Sequence, residues 1–215
     1  MTQIEHKDQR DRVRFFDRVK KYVSNDMYLT VIEMAYDEAK KSHQGQLRDD
    51  GSRYFDHAKR AALIFLDAVD MVTNVKGQDV DEKDIAIVVI ATLLHDVVED
   101  TYNIEPRHIN LFTMHVDTGI AQVVDNVTKD PNAEVGHKLD KLMACSDLYT
   151  KLTKASDRSD NMKTLHLCSP EKIKRKTQET RAIIEWLQSG ITCEYLLLIV
   201  FDIENEVLKY EALLK

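Results

Sequence analysis

The sequence predicts an all-α protein, and three observations lead to that prediction. The 215 residues include only six Gly and three Pro but are 31% charged, a composition typical of long helices joined by short connections. Apolar residues recur with helical periodicity along most of the chain, and no segment combines strand alternation with hairpin turns. The length fits one domain.

Periodicity and capping residues place the helices in order. Asp81 or Asp84 begins a fourth helix that is apolar nearly all round, so we expect it to be central and buried. Pro106 and Pro170 stand at first-turn positions, where proline is tolerated. The turn-rich segment QGQLRDDGSR (44–53) is a loop. The helices are predicted at residues 8–23, 26–43, 54 to about 71, 81–95, 105–115, 117–128, 137–166, 170–188 and 192–214.

Cysteine usage, apolar runs and charge limit the compartment and the partners. The three cysteines are far apart and form no C-x-x-C motif, so we expect reduced thiols in a cytoplasmic protein. The longest apolar runs, at 85–94 and 195–201, are shorter than the about 20 residues of a membrane span. The amino terminus lacks the apolar core of a secretory signal. A net charge of −7 disfavours nonspecific binding to nucleic acid or to an anionic membrane.

Four ionisable side chains are concentrated in HDVVED (95–100), directly after the apolar helix. Charge in such a place is costly unless it is paired or bound to a metal. On a continuous helix His95 and Glu99 are four residues apart. Asp96 and Asp100 have the same spacing, so the two pairs form adjacent stripes that face one sector. Imidazole and carboxylate together suit Mn²⁺, Zn²⁺ or Fe²⁺.

Two further candidates for metal ligands come from other predicted helices. His57 lies one turn into the third helix, and Asp157 lies in KASDRSDNMKTL, where Asp160 and Asn161 share its face. Two histidines and two carboxylates from three helices would hold one ion and leave positions for water and substrate. A neighbouring carboxylate of HDVVED could then handle the proton. Each residue alone is more typical of a cap or an exposed helix face, and only their co-occurrence favours a site.

Three segments then occur in order: AYDEAKKSHQGQLRDDGSRYFDHAKRAA (35–62), LLHDVVEDT (93–101) and KLTKASDRSDNMKTL (151–165). Together they resemble the hydrolase domain of the RelA/SpoT homologue family, the enzymes of bacterial stringent-response alarmones, over about residues 26–190. The resemblance implies an HD-domain helical bundle with a metal site in a cleft between helices. It includes no synthetase domain, so the chain is similar to stand-alone small alarmone hydrolases, with one domain over 1–215.

The resemblance also implies roles for individual residues. The implied metal ligands, which usually hold Mn²⁺, are His57, His95, Asp96 and Asp157. The implied acidic pair, which positions the attacking water and protonates the leaving group, is Glu99 and Asp100. The implied contacts to base and nucleoside are Arg48, Asn161 and Thr164. The implied reaction hydrolyses the 3′-diphosphate of ppGpp or pppGpp and gives GDP or GTP and pyrophosphate.

Such a substrate is strongly anionic, whereas this chain is acidic, so local cations are needed beside the metal. The candidate cations are Arg48, Lys129, Lys154, Arg158 and Lys163. Asp49 and Asp50 stand where the family usually has Lys-Ser, and Ser159-Asp160 replaces a common Leu-His. These departures give the hypothesis that purine choice is altered and that ppApp is taken in place of ppGpp or beside it.

Alternatives of three kinds stay open. The first is another phosphohydrolase of the same superfamily, such as a nucleotidase, a cyclic-dinucleotide phosphodiesterase or an NADPH phosphatase. The second is a regulatory module that binds nucleotide without cleaving it, although Glu99 and Asp100 favour catalysis. The third is a purely structural helical domain. The carboxyl-terminal helix could complete the core or form the face of a homodimer.

Overall fold

The computed structural model describes residues 3–77, 79–100, 104–129 and 139–214. In these ranges the regular structure is helical, and the one β-type pairing is an isolated bridge between Leu47 and Arg53. The all-α prediction is therefore confirmed. The helices are α1 Gln3–Val19, α2 Asp26–Ser42, α3 Tyr54–Lys76, α4 Glu82–Leu94, α5 Val97–Asp100, α6 Pro106–Thr113, α7 Ile120–Val127, α8 Asp140–Met143, α9 Leu148–Thr164, α10 Pro170–Gln188 and α11 Glu194–Leu213, with a 3₁₀ turn at Leu165–Leu167.

Several predicted helix boundaries were wrong. The first helix, predicted over 8–23, is Gln3–Val19. The third helix does not end near Met71 but continues to Lys76, and it stops at Gly77, whose φ of 62° is the left-handed conformation that glycine adopts easily. The single helix predicted over 137–166 is interrupted between α8 and α9. The Asp147 side chain accepts a hydrogen bond from the Thr150 N–H and so caps α9, which starts a new helix there.

Helix α4 is the centre of the core, as its apolar sequence predicts. All ten residues from Ile85 to Leu94 are buried, and the helix packs against α2, α3, α7 and α9. A helix that is apolar on every side is stable only when other helices surround it. Its carboxyl end is therefore held firmly at the point where His95 and Asp96 follow.

Helix α11 completes the core by packing on α3, α9 and α10. Its buried side includes Leu196, Ile203 and Tyr210, and the Tyr210 hydroxyl donates to the Met162 carbonyl. The opposite side exposes Leu197 and Phe201. The core role is therefore established, and a homodimer stays a prediction. Within the described residues no helix is both long enough and apolar enough to cross a bilayer.

Helix α9 is unusual because it is polar and buried at once. Every residue from Thr150 to Asp160 is buried, including two lysines, an arginine and two aspartates. Buried charges are tolerated only when each has partners. The arrangement of those partners defines the candidate site.

Candidate metal centre and adjoining cavity

Four side chains that the sequence singled out converge at one point. His57 on α3 places Nε2 3.2 Å from Asp157 Oδ1 on α9 and 3.6 Å from Asp96 Oδ2. His95 Nε2 lies 3.0 Å from Asp96 Oδ2 and 3.5 Å from Asp157 Oδ1. Ligand atoms about 2.0–2.2 Å from one ion are about 3 to 4 Å from each other. The separations therefore suit a shared cation, and the ligand atoms of His57, His95 and Asp157 all lie within 4.8 Å of one another.

The HDVVED segment reaches this point by a route other than the predicted one. Helix α4 ends at Leu94, His95 and Asp96 form a turn, and α5 begins at Val97. The expectation of two stripes along one continuous helix was therefore wrong. The Thr92 carbonyl accepts a hydrogen bond from His95 Nδ1 at 2.7 Å. Thr92 lies in the last turn of α4, where carbonyls have no backbone N–H partner within the helix. The turn lets both His95 and Asp96 point to the same centre.

Both imidazole rings are oriented by acceptors on the side away from this centre. His57 Nδ1 donates to Asp160 Oδ2 at 2.6 Å, and His95 Nδ1 donates to the Thr92 carbonyl. A carboxylate or a carbonyl only accepts, so each Nδ1 carries a hydrogen and each Nε2 is the nitrogen that faces the centre. His95 Nε2 is buried and makes no hydrogen bond of acceptable geometry. A buried ring nitrogen without a hydrogen-bond partner fits a metal ligand.

The electrostatics of the cluster favour a positive charge at its centre. Burial works to lower the pKa of His95, but the Asp96 and Asp157 carboxylates outweigh it and hold that pKa well above its usual value. Burial works to raise the pKa of Asp157, but Lys154 and the two imidazoles outweigh it and lower that pKa. Both shifts mean that the carboxylates attract a cation into this buried position. Two nitrogens and two carboxylates suit a divalent ion of intermediate hardness, so the residues fit a His/Asp metal site.

The predicted acidic pair lies on the short helix α5. Glu99 accepts hydrogen bonds from Lys129 Nζ at 2.7 Å and from the Lys129 backbone N–H at 3.3 Å. Burial works to lower the pKa of Lys129, but Glu99 outweighs it and raises that pKa. Asp100 is the last residue of α5, and its side chain lies outside the described residues. The role of Glu99 and Asp100 in catalysis stays a prediction.

A cavity of about 330 Å³ opens beside the cluster and is lined by the 47–50 loop, α9 and α10. Arg48 lies in the wall of the cavity. Its guanidinium donates to Asn161 Oδ1 at 2.6 Å and lies 5.8 Å from the centre of the Tyr54 ring. Thr164 also lines the cavity, and its hydroxyl lies 3.3 Å from the carbonyls of Asp160 and Asn161. Its cationic lining residues are Arg48, Lys129, Lys154, Arg158, Lys172 and Lys176.

The structure separates the predicted cations into two groups. Lys129, Lys154 and Arg158 line the cavity, whereas Lys163 is exposed on α9 and is not among the lining residues. The geometry therefore gives Lys163 no support as a substrate contact. The reason is helical phase, since Lys163 lies two residues from Asn161 and so faces nearly the opposite side of α9.

Two cavity cations on α10, Lys172 and Lys176, were not predicted from the sequence. Their signal was the basic run KIKRK at 172–176, in which the two outer lysines are four residues apart and share a face. Lys172 forms an ion pair with Asp49 across the cavity wall, and Lys176 pairs with Glu179 at 2.9 Å. Asp49 is thus paired with a cation from α10.

Comparison with known proteins identifies the family. Residues 35–187 match the family model described as HD domain. This chain belongs to the HD-domain family. The match includes His57, the His95–Asp96 pair and Asp157.

Individual relatives carry RelA/SpoT-type names. The chain is 34% identical over 172 residues to a GTP pyrophosphokinase of Myxococcus xanthus, covering 72% of this chain and 20% of that protein. It is 28% identical over 206 residues to the bifunctional (p)ppGpp synthase/hydrolase SpoT of Escherichia coli K12, covering 91% of this chain and 26% of that protein. This chain thus spans a fifth to a quarter of these relatives. The resemblance to RelA/SpoT homologues is confirmed.

A solved structure gives the same fold. A metazoan ortholog of SpoT, which hydrolyzes ppGpp and plays a role in starvation responses, superimposes with a TM-score of 0.61 at 19% sequence identity. The superposition covers 86% of this chain and 96% of that one. The helical HD architecture is therefore shared along most of the chain.

Proposed function

We propose that this chain is a metal-dependent pyrophosphohydrolase that removes the 3′-diphosphate of ppGpp or pppGpp, giving GDP or GTP and pyrophosphate. The observation that carries the proposal is the cluster of His57, His95, Asp96 and Asp157 beside a cavity lined by cations. The relatives support the alarmone as the substrate class. The choice of a hydrolase over a synthetase is supported by the His/Asp cluster itself.

The pyrophosphokinase names of relatives belong to proteins of which this chain covers 18 to 20%. A His/Asp cluster suits hydrolysis, because the ion that such residues hold supplies Lewis-acid stabilisation to a phosphoryl group and lowers the pKa of a water molecule. We propose Mn²⁺ as the ion, since the mixed donor set of imidazole and carboxylate accepts it. We further propose a cytoplasmic location, supported by three cysteines that are all free thiols.

Glu99 is proposed to handle the proton of the attacking water, with Asp100 assisting or protonating the leaving oxygen. Lys129 supports the assignment to Glu99, because its ammonium fixes one Glu99 carboxylate oxygen at 2.7 Å. A positioned carboxylate contributes typically about 10²- to 10⁴-fold to proton transfer. The neighbouring ammonium also reduces the repulsion between that carboxylate and an anionic substrate.

The cavity cations are proposed to bind the phosphates, and Arg48 is proposed to stack on the purine. Arg48 suits this role because its planar guanidinium already lies near the Tyr54 ring and donates to Asn161. Asn161 and Thr164, which line the same wall, are proposed to contact the nucleoside. Lys172 and Lys176 extend the cationic surface on the α10 side.

A second proposal is that ppApp is taken beside ppGpp, and it is favoured by Asp49, a carboxylate that lines the cavity next to Arg48. A carboxylate accepts hydrogen bonds from an exocyclic amino group, which adenine and guanine both carry. Pyrophosphate release from ppApp and from ppGpp should therefore be compared directly. Inertness toward the adenine compound would remove this second proposal and leave the first.

The test of the main proposal is digestion of ppGpp, pppGpp, ppApp and NADPH in the presence of Mn²⁺, with the products resolved by chromatography. The proposal expects pyrophosphate and GDP from ppGpp. Release of orthophosphate from NADPH alone would replace it with another HD-type phosphohydrolase. Binding of ppGpp by the metal-loaded protein without any pyrophosphate would identify a regulatory nucleotide-binding module.

A further inference from the structure

A buried carboxylate stands directly behind one of the two imidazoles. Asp160 Oδ2 is 2.6 Å from His57 Nδ1, while Nε2 at the other end of the ring lies 3.2 Å from Asp157 Oδ1. The side chains of His57 and Asp160 are 1% and 3% exposed, so water does not compete for this hydrogen bond. The hydrogen bond therefore determines which nitrogen of His57 faces the metal centre.

Arg60 fixes the Asp160 carboxylate from the other side. Arg60 Nε donates to Oδ1 at 2.7 Å, and Nη2 donates to Oδ2 at 3.0 Å. Two parallel hydrogen bonds from a guanidinium define both the position and the plane of a carboxylate. Asp160 can therefore only accept from His57, and the ring is held with its Nδ1 protonated and its Nε2 lone pair toward Asp96 and Asp157.

The two histidines of the cluster donate from Nδ1 to acceptors of different charge. His95 Nδ1 donates to the Thr92 backbone carbonyl, a neutral acceptor, at 2.7 Å. His57 donates to an ionised carboxylate, and hydrogen bonds to ionised partners are roughly twice as strong as neutral ones. His57 is thus the more strongly supported donor of the two.

We propose that Asp160 is a positioning residue, which holds His57 as an Nε2 donor for the divalent ion while Arg60 holds Asp160. Asp160 acts through His57 and does not touch the substrate. The inference rests on the metal centre of the proposed function but not on the identity of the nucleotide.

The test is the affinity for Mn²⁺, measured by electron paramagnetic resonance without nucleotide, and for Zn²⁺, measured by competition with a chelator. In Asp160→Asn the amide oxygen stays with Arg60 and the NH₂ faces Nδ1, which favours the wrong tautomer. The expected loss of affinity is about 10- to 100-fold. The matched control is Arg60→Gln, which removes the ion pair but keeps the carboxylate behind His57, and its loss should stay below about 10-fold.

A purely structural ion pair predicts a different pattern, in which both variants lower the thermal midpoint and neither changes metal affinity. That pattern would overturn the inference. A wild-type protein that binds no divalent ion would overturn the metal centre of the proposed function as well. Inertness toward ppGpp with the expected difference in metal affinity would leave this inference standing alone.

A second measurement on the wild type keeps the test independent of whether the variants fold. In Zn²⁺-loaded protein labelled with ¹⁵N-histidine, His57 should bind the ion through Nε2 and carry its proton on Nδ1. That proton should resonate further downfield than the Nδ1 proton of His95, because its acceptor is charged. Coordination through Nδ1, or a His57 proton at or upfield of that of His95, would refute the role of Asp160.

Discussion

Removing the Asp157 side chain should destabilise the metal-free protein, in addition to removing a metal ligand. Lys154 Nζ donates to Asp157 Oδ2 at 2.7 Å, and both side chains are only 5% exposed. In Asp157→Ala this lysine loses its partner inside the protein. Breaking a buried pair from one side costs about 3 to 5 kcal/mol, because an uncompensated charge stays behind. Lys154 lines the cavity, where water partly replaces the carboxylate, so the lower end of that range is expected.

The assay is thermal unfolding of the metal-free proteins, followed by circular dichroism. For a chain of this size each kcal/mol moves the midpoint by about 2 to 4 °C, so Asp157→Ala should unfold about 10 °C below the wild type. The double variant Lys154→Met/Asp157→Leu replaces the pair by apolar side chains and should recover most of the stability. Neither variant should bind the ion.

A midpoint of Asp157→Ala within a few degrees of the wild type would refute the reasoning. It would mean that Lys154 finds water or another partner at little cost. A double variant less stable than the single one would refute it also, since removal of the second charge would then bring no relief. Metal binding by either variant would contradict the place of Asp157 in the cluster.

Three further predictions address turnover, pH and substrate binding. Glu99→Gln should keep the metal and lower turnover about 100-fold or more, and normal turnover with full metal occupancy would remove Glu99 from its role. Burial works to raise the pKa of Glu179, but Arg158 and Lys176 outweigh it and lower that pKa from 4.5 to about 2. The stabilisation from ionised Glu179 should thus be present above pH 4.5 and lost as the pH falls toward 2. The difference in unfolding free energy between the wild type and Glu179→Gln should shrink over that window. A difference that stays constant would contradict the ion network. Lys172→Met should raise KM for ppGpp more than it lowers kcat, whereas an unchanged KM would exclude Lys172 from phosphate binding.

The fold was predictable because its signals are local. The apolar run at 85–94 could only be a buried helix in a protein without strand patterns, and the structure buries all ten residues. Two of the wrong helix boundaries lie where a single capping residue determines whether a helix continues or ends. Asp147 starts a new helix inside a segment whose periodicity alone predicts one long helix. Gly77 is the residue at which α3 stops, but the predicted end of this helix near Met71 lies before it.

The site was predictable in its residues but not in its geometry. The four candidate ligands were singled out by residue type and by resemblance, and the structure brings them together. The turn at His95 and Asp96 could not be read from spacing, because both residues are compatible with a continuous helix. The partners of the buried polar side chains of α9 could not be predicted either, because the hydrogen bond between His57 and Asp160 joins residues 103 positions apart.

The cations of α10 show the same limit. Lys172 and Lys176 belong to a basic run that is typical of a solvated helix face. Only the packing of α10 beside the 47–50 loop places two of these lysines at the cavity. Lys163, in contrast, lies in the recognised motif but faces away from the cavity.

In the proposed function the His/Asp cluster holds the ion on which alarmone hydrolysis depends. The most direct measurement is pyrophosphate release from ppGpp by metal-free protein titrated with Mn²⁺. We expect no release without the ion, a rise to a plateau as the cluster fills, and loss of both metal and turnover in Asp96→Ala. Pyrophosphate release that is unchanged by removal of the metal, or that persists in Asp96→Ala, would contradict this proposal.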